Sequence, residues 1–357
     1  MGDDRRDFLR RASVGLAGLA GLGLAAGCAR RTVPAGGATQ AGPVPSAKSP
    51  TETEAPEAAG PVARATAGGV PMAHVTHSRV WAAPGKLSQE VVLNMIDEGV
   101  KLATGKDSPE AAWKSLFASD DVVGIKVNQI SPTVFSSPVV ALAIAQRLMD
   151  SGIRPGSILI WDRKKGELVR NGYELSEDPG RVVVRGVDGE WEDSPTSQGS
   201  FTGRLAKILT QQCSALINVP VLKNHGGSGV TLALKNHYGS HDNPSRHHGN
   251  QCDPYIADLN AIPAIKDKTR LIVCDATLGC FNGGPGADNP NGLWQPNAIM
   301  VATDPVAHDA YGTQLIEQKR REMGLGRATP KHVASAAARG LGTNDMGRIS
   351  VIDSRLA

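Results

Sequence analysis

The sequence predicts an α/β fold: a mostly parallel sheet with helices on both faces, in Rossmann-like layers. Three observations predict it. Short apolar runs alternate with amphipathic segments after residue 70, as expected of strands and helices in succession. Residues 121–161 have the pattern of a βαβ unit. Polar residues recur directly after the apolar runs, where open α/β sheets bind their ligands.

The individual elements follow from capping and periodicity. Ser88 is placed to cap an amphipathic helix that runs to about Ala103. The apolar run 121–128 predicts a buried strand. Ser137 and Pro138 then supply an N-cap and an N1 proline for a helix to about Asp150. Further strands are predicted at 157–161, 181–185, 215–219, 270–275 and 298–302, and further helices at 305–319 and 330–339.

Residues 1–28 have the pattern of a twin-arginine signal peptide. Arg5 and Arg6 begin the sequence R-R-D-F-L-R, and an apolar run of Ala, Gly and Leu extends to Gly27. That run is too short and too glycine-rich for a membrane span. The segment L-A-A-G-C approximates a lipobox and predicts a lipid anchor on Cys28; an unmodified cysteine in a discarded peptide is the alternative. We therefore expect export through the twin-arginine translocase to the periplasm, as a soluble protein or a membrane-anchored lipoprotein.

The rest of the chain divides by composition. Residues 29–70 are rich in Ala, Pro, Gly, Thr, Ser and Glu without apolar periodicity, which predicts a disordered linker. Residues 71–357 are predicted to form a single α/β domain. The formal net charge is +3 and only 4% of the residues are aromatic. Because the chain also lacks a basic block, we expect no nucleic-acid partner.

The cysteines limit the cofactors. Besides Cys28, the chain has Cys213, Cys252, Cys274 and Cys280, and none of them forms a C-x-x-C pair. The sequence therefore carries neither a zinc-ribbon motif nor an iron–sulfur cluster motif. An exported protein can form disulfides, but Cys213 and Cys274 lie in apolar runs and are predicted to be small core residues.

The chemistry of the chain is concentrated between Asn218 and His248. Five of the nine histidines lie in this stretch, and the tripeptide Lys-Asn-His occurs in it twice, at 223–225 and at 235–237. Lysine and asparagine donate hydrogen bonds, while histidine titrates near neutrality and is the commonest metal ligand. The stretch predicts a functional site; a solvated polar loop with incidental histidines is the alternative.

The second Lys-Asn-His copy fits two secondary structures. Val230 and Leu234 suit either an alternating strand or an i, i+4 helical pair. Gly239 stands where a helix favours its left-handed C′ residue, so we predict a short helix from about Gly229 to Tyr238. On that helix Thr231 and Lys235 share a face. His237 would then point elsewhere, since successive residues turn by ~100°.

Other polar residues are expected at the same edge of the sheet. They follow the predicted strands at their carboxyl ends. A lysine inside an apolar strand, as at position 126, is hard to explain structurally because burying an unpaired ammonium is costly. The residues at these strand ends include Lys126, Asn128, Asp162, Lys223, His225, Asp275 and Asp304. Two of them have structural alternatives: Asp162 is interpreted as the start of a turn, and Asp304, which precedes Pro305, as a helix cap.

Several of these segments together resemble the family catalogued as domain of unknown function 362. They are the stretch 123–128 with Ser137-Pro138, the stretch 219–225, the stretch 230–236 followed by Gly239, and the stretch 303–307 with Asp309. The resemblance covers about 120–312. Some members of that family carry ferredoxin modules, and this chain departs from them by lacking the cysteines. At the level of fold, the family is similar to the lactate-racemase type of α/β protein.

We carry two hypotheses for function. The first is an exported enzyme acting on a small anionic, carboxylate-type substrate. Lysines would neutralise the anion, amides and Thr231 would orient it, and a histidine would serve as general acid–base. The lysines are Lys126, Lys223 and Lys235, and the amides are those of Asn128 and Asn236. The general acid–base would be His225 or His237, and Lys235 is also a candidate catalytic residue.

A metal-assisted variant of the enzyme and a non-catalytic protein are the alternatives. In the variant, a divalent metal would polarise water or substrate. Its ligands would be drawn from His225, His237, His241, His247 and Asp275. The second hypothesis is a periplasmic ligand- or metal-binding protein or assembly factor that uses the same cleft without catalysis.

Overall fold

A computed structural model describes residues 68–357. The predicted signal peptide with Cys28 and all but the end of the predicted linker lie outside these residues. The last predicted linker residue, Val70, begins the first strand. Within the described residues, no helix is both long enough and apolar enough to cross a membrane.

The described chain is built around a mixed sheet of 11 strands. Eight of them form a continuous path in the order β15-β1-β14-β12-β9-β4-β5-β6. The strands of the path are β1 Val70–His77, β4 Val123–Lys126, β5 Ile158–Asp162, β6 Val183–Gly186, β9 Ala215–Asn218, β12 Thr269–Cys280, β14 Ala298–Ala302 and β15 Ile349–Leu356. The strands β10 Val221–His225, β11 Gly229–Val230 and β13 Leu293–Trp294 join the sheet off this path, and two separate hairpins pair β2 Trp81–Ala83 with β3 Lys86–Leu87 and β7 Thr196–Gln198 with β8 Phe201–Gly203.

Helices fill most of the connections between strands. They are α1 Gln89–Thr104, α2 Pro109–Leu116, α3 Pro138–Asp150, α4 Lys165–Arg170, α5 Leu232–Asn236, α6 Tyr255–Asn260, α7 Pro263–Lys266, α8 Pro305–Glu322 and α9 Lys331–Ala338. Their starts obey the capping signals in the sequence. The hydroxyl of Ser88 accepts from Val91 N, and the carboxylate of Asp304 accepts from the amides of Val306 and Ala307.

The predicted α/β class is confirmed, with one strand reversed. From β12 through β9, β4 and β5 to β6, each strand of the path is parallel to the next. Strand β14 is antiparallel to both β1 and β12. The outer pair, β1 and β15, is parallel and joins the two ends of the described chain. Neither β1 nor β15 was predicted from the sequence.

Helices cover both faces of the sheet, as alternate residues of β14 demonstrate. Val301 packs against Gly99 of α1, so closely that a Cβ at Gly99 would lie 2.5 Å from a Val301 methyl. Met300 and Ala302 belong instead to the core cluster that contains Ala307 and Tyr311 of α8. Since successive strand residues point to opposite faces, α1 and α8 lie on opposite sides of the sheet.

Among the predicted elements whose bounds differ in the structure, two carry candidate site residues. The strand predicted to close at Asp275 continues to Cys280. It can do so because the Asp275 carboxylate is satisfied within the fold, by the amides of Ser137 and Thr277 and the Thr277 hydroxyl. The helix predicted from Gly229 to Tyr238 is shorter: residues 229–230 form β11, and the α-helix covers only Leu232–Asn236.

The four described cysteines are buried free thiols. Cys213 and Cys274 are 4% and 0% exposed, which confirms that they are core residues. Burial raises the pKa of the Cys213 thiol to about 12, so it stays protonated at neutral pH.

Candidate functional site

A cavity of about 190 Å³ opens at the carboxyl edge of the sheet. We call it the lysine–histidine cleft. Asp162, Arg163, Glu167, Asn236 and Tyr238 also contribute to its wall. The residues that define it are Lys126, Asn128, His225, Thr231, Lys235 and His248.

The cleft lies at the switch point of the strand order. From β4 the chain moves to β5 and β6 on one side, and β9 then returns to pair with the other side of β4. Lys126 and Asn218 are register partners at the ends of β4 and β9. Asn236 bridges them, because its side-chain amide donates to Asn218 Oδ1 at 2.8 Å and to Lys126 O at 3.2 Å. Ligands of open α/β sheets bind at such a point.

Lys126 is neutralised by the protein itself. Its Nζ donates to Asp162 Oδ1 and to Val127 O, both at 2.7 Å. The same carboxylate accepts from the amides of Gln129 and Arg163. Gly239 lies directly over this ion pair, and a Cβ there would stand 2.6 Å from Asp162 Oδ1. Lys126 therefore forms part of the wall of the cleft with its charge already satisfied.

Lys235 is different, because no carboxylate balances its charge. The residue is 5% exposed, and within residues 68–357 its ammonium forms no salt bridge. Its Nζ lies 3.6 Å from the centre of the Tyr238 ring and 3.5 Å from His248 Nε2. Burial lowers the pKa of Lys235 to about 8. The ammonium is thus still largely charged at neutral pH, in contact with the cleft and without a counter-ion.

Two histidines present complementary nitrogens to the cleft. His225 Nδ1 accepts from the amides of Gly227 and Ser228, at 2.9 and 3.1 Å. The proton of its neutral ring is therefore on Nε2. His248 Nδ1 lies 2.8 Å from Pro244 O, a pure acceptor, so its proton is on Nδ1 and its Nε2 carries a lone pair. The rings are stacked with their centres 5.9 Å apart, which places a donor and an acceptor side by side.

Burial keeps His225 neutral. Burial, with a further contribution from the nearby Lys235 charge, lowers the pKa of His225 to about 3. His225 is 8% exposed. Its Nε2–H is therefore a permanent hydrogen-bond donor at physiological pH. The pKa of the exposed His248 is also lowered, by partial desolvation and by Lys235.

A buried aspartate positions the short helix that carries Lys235. Asp309 of α8 accepts from the amides of Ala233 and Leu234, at 2.8 and 3.0 Å. Leu232 adopts φ 48°, an unusual value for a residue other than glycine. It is accommodated against Gly312, where a Cβ would lie only 2.9 Å from its methyl groups. The first turn of α5 is thus fixed by α8.

Thr231 precedes this helix and lines the cleft. It is 5% exposed, and within the described residues its hydroxyl has no hydrogen-bond partner. A buried unpaired hydroxyl is uncommon. Thr231 and Lys235 both line the cleft, although Thr231 lies before the helix on which it was predicted to share a face with Lys235.

The two Lys-Asn-His copies reach the cleft only in part. Lys223 does not line it, because its fully buried Nζ turns to Val134 O at 3.2 Å and Asn128 Oδ1 at 3.4 Å. His237 does not line it either; it is 1% exposed, and its Nδ1 pairs with Ser240 Oγ. Among the residues predicted to converge, the structure brings together Lys126, Asn128, His225, Thr231, Lys235 and Asn236.

The proposed metal ligands are placed in separate surroundings. His241 and His247 pack in an aromatic cluster with Phe201, away from the cleft wall. Asp275 is committed to Ser137 and Thr277. Within residues 68–357, no group of three or more His, Cys, Asp or Glu side chains is arranged to hold a metal ion.

Several residues that line the cleft were not among the site residues selected from the sequence, and three of them are informative. Asp162 was interpreted as the start of a turn, although its position after an apolar strand matched that of Lys126. His248 was not among the candidate metal ligands, although its neighbour His247 was. In the structure His247 is buried and only 4% exposed, while His248 lines the cleft. Tyr238 had no signal in the sequence beyond its place after the second Lys-Asn-His copy.

Fold and site define the chain as an α/β protein with a cationic, histidine-containing cleft at the switch point of its sheet. The model of the family described as Domain of unknown function (DUF362) matches residues 106–314, more than half of the chain. The chain belongs to this family. The match includes every residue that defines the lysine–histidine cleft. No curated protein was found to match the chain.

Proposed function

We propose that the chain is an exported enzyme that binds a small carboxylate-type anion in the lysine–histidine cleft and transfers a proton to or from it. One observation carries the proposal: Lys235 holds a buried ammonium at the cleft with no carboxylate of the described chain to balance it. A buried charge is stable only when it is paired. A bound carboxylate would be the missing partner.

The neighbours of Lys235 supply the other contacts that such an anion needs. The Nε2–H of His225 and the unpaired hydroxyl of Thr231 are donors at the same cleft. Charge-assisted hydrogen bonds from several donors orient a carboxylate as well as bind it. Asn128 is held by Asn236 and Lys223, which fixes the wall beneath them.

His248 is the group we propose for proton transfer. The residue lines the cleft, its Nε2 lies 3.5 Å from Lys235 Nζ, and its Nδ1–H is held by Pro244 O. An orienting hydrogen bond on one nitrogen fixes the tautomer that makes the other a base. The acid–base role thus passes from His225, whose Nδ1 is occupied, to His248. Charge neutralisation by Lys235 requires no metal, so activity is expected to survive chelation.

Solvent exchange tests both halves of the proposal. The full chain is incubated in deuterated water with a panel of small carboxylates, with and without EDTA, and the loss of carbon-bound protons is followed by NMR. We expect exchange next to the carboxylate for at least one compound, its abolition in His248→Phe, and retained binding in that variant. Binding without exchange in the wild type would instead identify a binding protein. Absence of carboxylate binding would refute the proposal.

The exported state is proposed from Arg5, Arg6 and Cys28, which precede the described residues. If the paired arginines are a transport signal, the double change Arg5→Lys with Arg6→Lys should leave precursor in the cytoplasm. Unchanged periplasmic localisation of that variant would refute export by this route. Cys28→Ala should release the mature protein from membranes, and unchanged partitioning would contradict a lipid anchor.

A further inference from the structure

An apolar ledge adjoins the mouth of the lysine–histidine cleft. Ile130 lines the cavity and yet is 49% exposed. Pro285, from the loop after β12, lines the cavity beside it and is also exposed. The two loops are tied together, because the Ser131 hydroxyl donates to Gly286 O at 2.5 Å. We call Ile130 and Pro285 the apolar ledge.

The backbone that carries Ile130 is held in place from below. Asn171 donates to Gln129 O at 3.0 Å and to Ser131 O at 3.1 Å. Arg170 donates to Gln129 O at 2.6 Å and to Ile130 O at 3.1 Å. Both carbonyl groups flanking Ile130 and its own carbonyl are therefore bonded. The isoleucine cannot turn inward without breaking this network, so its side chain stays displayed at the mouth.

Single exposed apolar side chains are common on protein surfaces and by themselves indicate nothing. Ile130 differs because it is part of the cavity wall, its backbone carbonyl groups are hydrogen-bonded, and a second apolar residue, Pro285, lines the same cavity. Ligand pockets typically combine a few placed polar groups with apolar walls. In the lysine–histidine cleft the polar groups lie around Lys235, and the apolar ledge lies at the mouth.

We infer that the ligand of the cleft is a carboxylate with an apolar carbon chain, whose head binds at Lys235 and whose chain leaves over Ile130 and Pro285. The inference rests on the proposed function and narrows its substrate class. Short polar anions would fill the head site alone. A ligand with an aliphatic chain would also remove the exposed half of Ile130 from water, which favours binding.

A chain-length series tests the ledge. Calorimetry would measure the affinity of the full chain for acetate, butanoate and hexanoate, with hexanamide as the uncharged control. Each methylene that packs on the ledge is expected to raise affinity about three- to fourfold. Ile130→Thr should flatten this dependence. Val169→Thr is the matched control, because Val169 is 54% exposed but does not line the cavity, and its series should match that of the wild type.

The outcomes separate the ledge from the head site. An affinity that does not depend on chain length, while Lys235→Met still abolishes binding, would overturn the ledge and leave the proposed function standing. A chain-length dependence that persists in Ile130→Thr would also overturn the ledge. Tight binding of hexanamide, or binding unaffected by Lys235→Met, would overturn the head site and with it both proposals. Both threonine variants should melt at the wild-type temperature, since each replaces a half-exposed side chain.

Discussion

The same tripeptide, Lys-Asn-His, serves two different purposes in this molecule. In the first copy the histidine, His225, reaches the lysine–histidine cleft, and the lysine is buried beneath it. In the second copy the lysine, Lys235, reaches the cleft, and the histidine is turned into the core. The role of each residue is therefore set by the backbone that carries it and not by the tripeptide motif.

Secondary structure explains the difference. The first copy lies on strand β10, where residues two apart point to the same side. Lys223 and His225 therefore lie on one side, with Lys223 deeper, while Asn224 faces away and accepts from Gly284 N. The second copy lies at the end of helix α5 and in the turn after it. There, residues two apart diverge by ~200°, so Lys235 and His237 separate.

The largest difference is expected between two single variants, Lys235→Met and Lys223→Met. Lys235→Met removes the unbalanced ammonium and should weaken carboxylate binding at least ~30-fold, in line with the loss of a buried charged partner. Lys223→Met, the matched control, should change affinity only a few-fold, because Lys223 acts through Asn128. Calorimetric titration of both variants measures this. Equal losses in the two variants would erase the distinction between the copies.

The two histidines should differ in the same sense, with a smaller effect. His225→Phe keeps an aromatic ring and removes both the Nε2–H donor and the Nδ1 acceptor of the Gly227 and Ser228 amides. The loss of the donor should reduce the affinity for the carboxylate roughly tenfold. His237→Phe should leave affinity within about twofold, since His237 does not line the cleft. The same titration tests both. A loss in His237→Phe with an unchanged melting temperature would place that ring in the site after all.

The core position of His237 also predicts an acid-sensitive stability. Burial lowers the pKa of His237 to about 3, from 6.5 for a free histidine. Between these values the unfolded chain binds a proton that the folded chain does not. Stability therefore falls as the pH drops from 6.5 towards 3, by about 1.4 kcal/mol per pH unit for each such histidine. His241 and His332 are buried in the same way and should add to the slope.

Urea unfolding between pH 7 and 5 measures this slope, and one variant sharpens it. Phenylalanine at position 237 cannot take up a proton in the unfolded state. In His237→Phe the free energy of unfolding should therefore change less with pH, by about 1.4 kcal/mol per pH unit. An unchanged slope in His237→Phe would show that His237 is already protonated, or exposed, in the folded protein.

The sequence predicted the α/β class and the helix starts better than the orientation of the individual site residues. Caps such as Ser88, Ser137 and Asp304 act locally, so the helix starts could be predicted from neighbouring residues. The carboxyl edge of the sheet was predicted as the place of the site from the polar residues at the strand ends, whereas the switch point became visible only with the strand order. The outer strands β1 and β15 could not be foreseen in the same way, because they pair with each other across almost the whole described chain.

The orientation of each site residue depends on contacts that lie far away in sequence. Lys126 looks unpaired in its own segment, and its partner Asp162 comes from the next strand. The bounds of α5 depend on Asp309 and Gly312 of α8, which hold Leu232 and the first helical amides. Without those contacts, the periodicity of residues 229–238 allowed a longer helix.

Within residues 68–357, Lys235 is a buried ammonium without a carboxylate counter-ion, and we propose that a bound anion balances its charge. The most direct test is the pKa of Lys235 itself, followed by NMR on isotope-labelled lysine in the full chain and assigned by comparison with Lys235→Met. We predict a pKa of about 8 in the free protein, as burial dictates, and a rise when a carboxylate is added, since an anion stabilises the charged form. Affinity should correspondingly weaken as the pH rises through 8. A pKa near the ~10.4 of an exposed lysine, unmoved by carboxylate, would contradict the account.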